Sequence, residues 1–144
     1  MREFYIFEIK ENVLKNYKYN YEELYNLIER IHYLRDEDLV LGFSIFNSLV
    51  IPINKDEYNE YIKRQNLDSE NYICYNYTHT INDFYFSEST KMTINNTHIK
   101  IKTNKNIPSF FYNLKNFKNL FVCDFENKDY FVLEESFYTS CINA

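Results

Sequence analysis

The first hydrophobic pattern in the chain has the period of a strand. In "REFYIFEIK", Phe4 and Ile6 precede polar Glu8 on one side, while Tyr5, Phe7 and Ile9 line the other. This predicts a strand buried on at least one face. Residues 11–18 then predict a short helix. Asn20 with Glu23 forms a capping-box pattern ahead of a second helix, where Leu24, Leu27, Ile28, Ile31 and Leu34 recur at helical spacing. Asp36 or Asp38 opens a third helix, whose packing face is Leu39, Phe43, Phe46, Leu49 and Val50, and Pro52 stops it. Asn54 and Glu57 make another capping-box pair, starting a helix that runs to Arg64.

The period then changes. "NYICYNYTHTI" alternates as one strand, and Met92 and Ile94 pair with Ile99 and Ile101 across "NNTH", where asparagine tolerates positive φ. Pro108 suits a first helical position, followed by Phe110, Phe111, Leu114 and Phe117 as a packing face. "NLFVCDF" and "DYFVLE" predict two last strands turned by "ENK". This order segregates helices from strands. It predicts an α+β fold: a single domain over 1–144, with a largely antiparallel sheet and helices packed against it.

Composition narrows the chemistry. The chain has 144 residues, 45% of them hydrophobic, with 15 Tyr and 13 Phe but one Gly, two Pro and no Trp. Asn, Lys, Ile, Tyr and Phe share AT-rich codons, so a low-GC bacterium or its phage accounts for part of the tyrosine excess. With Gly42 as the single glycine, neither a phosphate-binding loop nor a dinucleotide fingerprint can be built. Three cysteines without CxxC spacing suit a reducing compartment. No apolar run approaches the roughly 20 residues that span a bilayer. The expectation is a cytoplasmic protein with no membrane partner.

Catalytic and metal chemistry find little support. Cys74 and His79, read on one strand at odd separation, face opposite sides, and His32, His98, Cys123 and Cys141 lack zinc-site spacing. Cys123 has no local base and reads as a small core residue. The acids Asp36–Glu37–Asp38 and Glu134–Glu135 sit where helix starts and exposed ends place them. No catalytic residue, metal ligand or cofactor is therefore expected, and the chain does not read as an enzyme.

Charge is uneven. The net charge is −5, yet residues 89–123 carry six lysines and no acid. Beside Phe110, Phe111, Tyr112 and Phe117 this block has the ingredients of nucleic-acid binding. Those phenylalanines are already needed inside, however, and a solvated face explains the lysines, so no direct nucleic-acid contact is expected. That leaves protein binding. Tyr17, Tyr19, Tyr21 and Tyr25 crowd nine positions, more than one buried helix stripe can absorb. Tyr25 reads as marginal to the core, and Tyr19 and Tyr21 as residues of a helix junction. Val13 and Tyr17, four apart, share a face that either anchors in a partner's groove or packs on a neighbouring helix.

Both ends of the chain carry a resemblance. "FYIFEIKENVLKNY" (4–17) and "FFYNLKNFKNLFVCDFENKDYFVLEE" (110–135) have the order and spacing of SirA, the sporulation inhibitor of replication from spore-forming Firmicutes. The resemblance covers roughly the first 25 and last 35 residues. It implies a non-enzymatic α+β protein that binds the N-terminal domain of the replication initiator DnaA and restrains initiation. The implied partner-binding residues are Val13, Tyr17 and Glu135. Val13 stands where a Phe is expected in Bacillus members, and Glu135 where those relatives have Pro. A phage- or plasmid-borne inhibitor of another host machine, such as a nuclease, is the alternative, and the oligomeric state stays open.

Overall fold

A computed structural model describes residues 1–34 and 38–134. The first strand, β1 (Arg2–Ile9), is interior to the sheet and therefore buried on both faces. After it come α1 (Glu11–Asn16), α2 (Tyr21–His32), α3 (Leu39–Leu49), the two-residue β2 (Val50–Ile51) and α4 (Lys55–Asn66). The strands β3 (Tyr72–Tyr75), β4 (Thr78–Asp83), β5 (Glu88–Ile94) and β6 (Ile99–Thr103) follow, then α5 (Phe110–Leu114), β7 (Leu120–Asp124) and β8 (Asp129–Val132). All pairings are antiparallel, in the order β3-β4-β5-β6-β1-β7-β8, with β2 beside the end of β1. The α+β expectation is met.

Each face of the sheet has its own core. On one, Phe4, Ile6, Met92, Ile101 and Val122 pack beneath Tyr58 and Ile62 of α4 and Phe110, Phe111 and Leu114 of α5. Polar Glu8, on this same face, is accommodated because the Tyr58 hydroxyl donates to it at 2.9 Å, while the Tyr58 ring stacks on Phe117 at 4.0 Å. On the other face, Phe7, Ile9, Phe121, Cys123 and Val132 meet Leu14 of α1, Leu24, Tyr25 and Ile28 of α2, and Phe46 and Leu49 of α3. These three helices cover only the β1–β7–β8 part of that face. By strand alternation Ile73, Tyr75, Lys91 and Lys102 share the rest, and all four are exposed.

Several local expectations need correction. "NYICYNYTHTI" is two strands, split at Asn76, which takes φ 54° and supplies the positive dihedral that a tight hairpin needs. Cys74 and His79 are consequently direct cross-strand partners on one face, not opposed residues of a single strand. The β5–β6 pairing has the expected register, Met92 with Ile101 and Ile94 with Ile99. Its turn uses no positive-φ asparagine; the Asn95 amide instead bonds the His98 carbonyl at 2.9 Å. Asn54 caps α4 through the Glu57 amide, but Asn20 makes no side-chain cap on α2. Pro108 precedes α5 rather than opening it, its carbonyl accepting from Phe111. Tyr25 is buried, its hydroxyl satisfied by Glu29 at 2.7 Å, which lets a polar tip sit in the core.

Asp124 ties the two chain ends of the sheet together. Arg2 Nε donates to its carboxylate at 2.9 Å, and the Asn127 amide and Nδ2 donate at 3.2 and 2.8 Å. Burial works against the charge, but the bonds from Asn127 and Arg2 outweigh it and hold the carboxyl below its usual range. The stabilisation is therefore present above the ordinary carboxylate pKa and is lost as pH falls through the depressed folded value. Asp124→Asn should cost about 2 kcal/mol at neutral pH. It should also flatten the acid limb of a urea-midpoint profile relative to the unsubstituted chain.

Candidate protein-binding site

α1 begins where β1 leaves the sheet, anchored by the Lys10 amide on the Leu49 carbonyl at 2.9 Å. Tyr17 closes its last turn, its amide bonding the Val13 carbonyl at 3.2 Å. The two side chains share a face, as their spacing requires, but both are half-buried against the second core. Part of each is thus committed to packing and part remains available. Tyr17→Ala should lower stability by about 1–2 kcal/mol, less than the full cost of removing a buried ring, as read by chemical denaturation. Tyr19 is 94% exposed. Glu135 lies outside the described residues, as do Asp36, Glu37 and Cys141.

The feature that sequence periodicity passed over is the outer side of α3. Its sequence, LVLGFSIFNSL, is apolar over most of its surface, with the exposed Ser44, Asn47 and Ser48 grouped on the arc that also holds Val40. Gly42, Phe46 and Leu49 do face inward, Gly42 lying close against Leu34. Yet Val40 is 85%, Leu41 65% and Phe43 57% exposed, and Leu39 is exposed too. Leu39 and Phe43, expected in the packing face, are therefore at the surface. The usable signal was that the apolar residues of this helix, Leu39, Leu41, Phe43, Ile45, Phe46 and Leu49, span a wider arc than one stripe can bury, with Val40 beyond it.

Hollows flank this ridge. One cavity of about 290 Å3 lies between α2, α3 and the sheet, lined by Tyr5, Phe7, Ile28, Phe43 and Phe46, with His32 and His98. Desolvation in this pocket lowers the pKa of both histidines, with His32 and Lys100 adding to the effect at His98 and Lys100 at His32, whose ring keeps part of its surface in solvent. The other, about 200 Å3, is lined by Leu27, Ile31, Leu34, Leu41 and Ile45. An exposed apolar ridge set between two apolar hollows suits side chains of a folded partner.

Elsewhere the polar clusters are closed structural units. His79 is fully buried, with Nε2 2.6 Å from Asn59 Oδ1 and Nδ1 2.6 Å from the Tyr72 hydroxyl. Because the amide oxygen only accepts, Nε2 carries the proton and Tyr72 donates to Nδ1. Burial, with a smaller contribution from Lys63, pushes the imidazole pKa down to about 4. Cys74 Sγ is 4.0 Å from Nε2. The Cys123 thiol is pushed up by burial, which keeps it protonated and unreactive. Among the described residues no group of three His, Cys, Asp or Glu side chains is placed to hold a metal ion, and no helix is long and apolar enough to cross a membrane. Compared with known proteins, the chain matches no family model and no curated protein.

Proposed function

We propose that this chain is a non-enzymatic inhibitor that works by docking on a folded protein. The partner is the N-terminal domain of the replication initiator DnaA, whose initiation activity the docked chain restrains. The observation carrying the docking reading is the exposed apolar ridge Val40, Leu41 and Phe43 beside its two hollows. The partner's identity rests on the SirA resemblance of the two chain ends. α1 lies beside the C-terminal end of α3 through the Lys10–Leu49 bond, the end opposite Val40, so the half-buried Val13 and Tyr17 are a separate candidate contact that rests on the resemblance.

Immobilised protein exposed to extract of its native host tests this reading. Retention of the initiator, lost when Val40 becomes Asp, is the expected result. Retention of some other machine at the same ridge, with no initiator, would favour the phage- or plasmid-type inhibitor instead. Failure to retain the initiator from an extract that contains it would reject the initiator as partner.

A further inference from the structure

The end of the sheet where β4 turns into β5 carries a cavity of about 530 Å3, within the roughly 300–1,000 Å3 of small-ligand sites. Five polar side chains, Asn82, Asp83, Ser87, Ser89 and Asn104, surround one ring, Phe84, which is 97% exposed. Strand pairing builds the floor. Asn82 and Ser89 are direct cross-strand partners, and the Asn104 amide bonds the Ser89 carbonyl at 3.3 Å. The three therefore stand in one row across β4, β5 and the end of β6, about 10 Å long at the usual strand spacing. The site is set before any ligand arrives. Asp83 Oδ1 accepts from the Tyr85 and Phe86 amides at 2.9 and 3.1 Å, which fixes the turn. Asn104 clamps its base, donating to the Ser87 carbonyl at 2.8 Å and accepting from the Ser89 amide at 2.9 Å. Tyr85 and Phe86 pack edge to face on each other at 4.9 Å, and Phe84 is the ring on the cavity wall. Such order lowers the entropy that binding costs.

Several polar atoms of the site are left over. Among the described residues no hydrogen bond engages the Asn82 side chain, Asp83 Oδ2, or the Ser87 and Ser89 hydroxyls. Together they offer donors and acceptors in the mixture that a polyol needs, since each of its hydroxyls both donates and accepts. Charge selects no ion here. Lys91 and Lys102 lie one row along, but Glu3 is the cross-strand partner of Lys102. On the other side stand Asp83 and the exposed Asp68 and Glu70, on a segment tied to the site by the Asn82 amide, which donates to the Asn71 carbonyl at 3.0 Å. Glu88 is buried and spent on Thr90 Oγ1 and the Ser109 amide, at 2.7 and 3.0 Å. Asp83 Oδ2 is then the one free carboxylate oxygen on the cavity wall, too little charge to hold a hard cation.

We infer that this cavity binds a neutral carbohydrate. The C–H face of a sugar ring lies on Phe84, and its hydroxyls meet the Asn82 amide, Asp83 Oδ2 and the two serines. The row across three strands is long enough for a short oligosaccharide. A purely apolar ligand would strip water from these polar groups without replacing it, which costs binding energy. An anion would meet Asp83. The inference shares no residue with the α3 ridge and is independent of it.

Amide NMR of the isotope-labelled full chain, titrated in turn with maltotriose, cellotriose, triacetylchitotriose and lactose, tests this. Shifts at Asn82, Phe84, Ser89 and Asn104 that saturate at low millimolar sugar are expected with at least one of them. Asn82→Ala and Phe84→Ala should each weaken that binding about tenfold, the scale of one lost hydrogen bond or ring contact. Both side chains are exposed, so the melting temperature should hold. The proposal is overturned by the absence of a saturable shift with all four sugars. A shift that maps elsewhere, or that survives both substitutions, overturns it too. So would shifts of the same amides by inorganic phosphate or calcium chloride with none from the sugars.

Discussion

Val40→Asp combined with Phe43→Ala is expected to weaken partner binding by about a hundredfold or more, the scale of losing central apolar anchors, while leaving the fold intact. Both effects follow from the same exposures. Val40, at 85% exposure, contributes little to the core, and an aspartate in the first turn of α3, which lacks an acid, interacts favourably with the helix N-terminus. Phe43 is 57% exposed, and alanine there gains helix propensity while losing part of a cavity wall. Stability should stay within about 1 kcal/mol of the starting chain, the range usual for surface substitutions. In the complex, by contrast, the new carboxylate would face a desolvated apolar surface with no counter-charge. Calorimetry of binding beside thermal melting separates the two effects. A collapse in melting temperature would move α3's outer face from interface to core.

The second large effect concerns pH. His79 is neutral in the folded chain because its site is buried, with a pKa near 4 against an ordinary 6.5. Between those values the unfolded chain takes up a proton that the folded chain refuses, so stability is lost on acidification through this window. The whole shift amounts to on the order of 3 kcal/mol. His32 and His98 are lowered for the same first reason, burial, and add to the slope with the same sign. His79→Gln removes the His79 part alone. Urea midpoints at pH 7 and pH 5 should fall further for the unsubstituted chain than for the variant, whatever the variant costs at neutral pH. Equal falls would mean that burial does not hold the His79 imidazole neutral in the folded chain.

The β3–β4 register shows where sequence reading reached its limit. Alternation identifies β1, and cross-strand hydrophobic matching finds Met92 with Ile101, because period-2 burial leaves a one-dimensional trace. The break at Asn76 leaves none: alternation continues through it, and only the backbone dihedral of one asparagine reveals the turn. Helical periodicity located α2, but placed Tyr25 at the margin because spacing cannot see Glu29 satisfying its hydroxyl. The same limit hid the exposed ridge on α3. On α3 the apolar positions at Leu39 and Phe43 keep the spacing of a buried face, and only the three-dimensional placement of α2 and the sheet decides which of them are covered. Val13 and Tyr17 were legible as sharing a face, though not as half committed to the core beneath it. The exposed rings at 84–86 have no periodic signature, since a tip is defined by the strands that meet at its base.

The most direct test of the docking reading is a calorimetric titration of the chain against the purified N-terminal domain of its host's replication initiator, with Val40→Asp/Phe43→Ala as the matched control. A saturable heat for the unsubstituted chain that vanishes for the variant is the predicted result. No heat with the initiator domain at tens of micromolar, or an equal heat from both proteins, would contradict it.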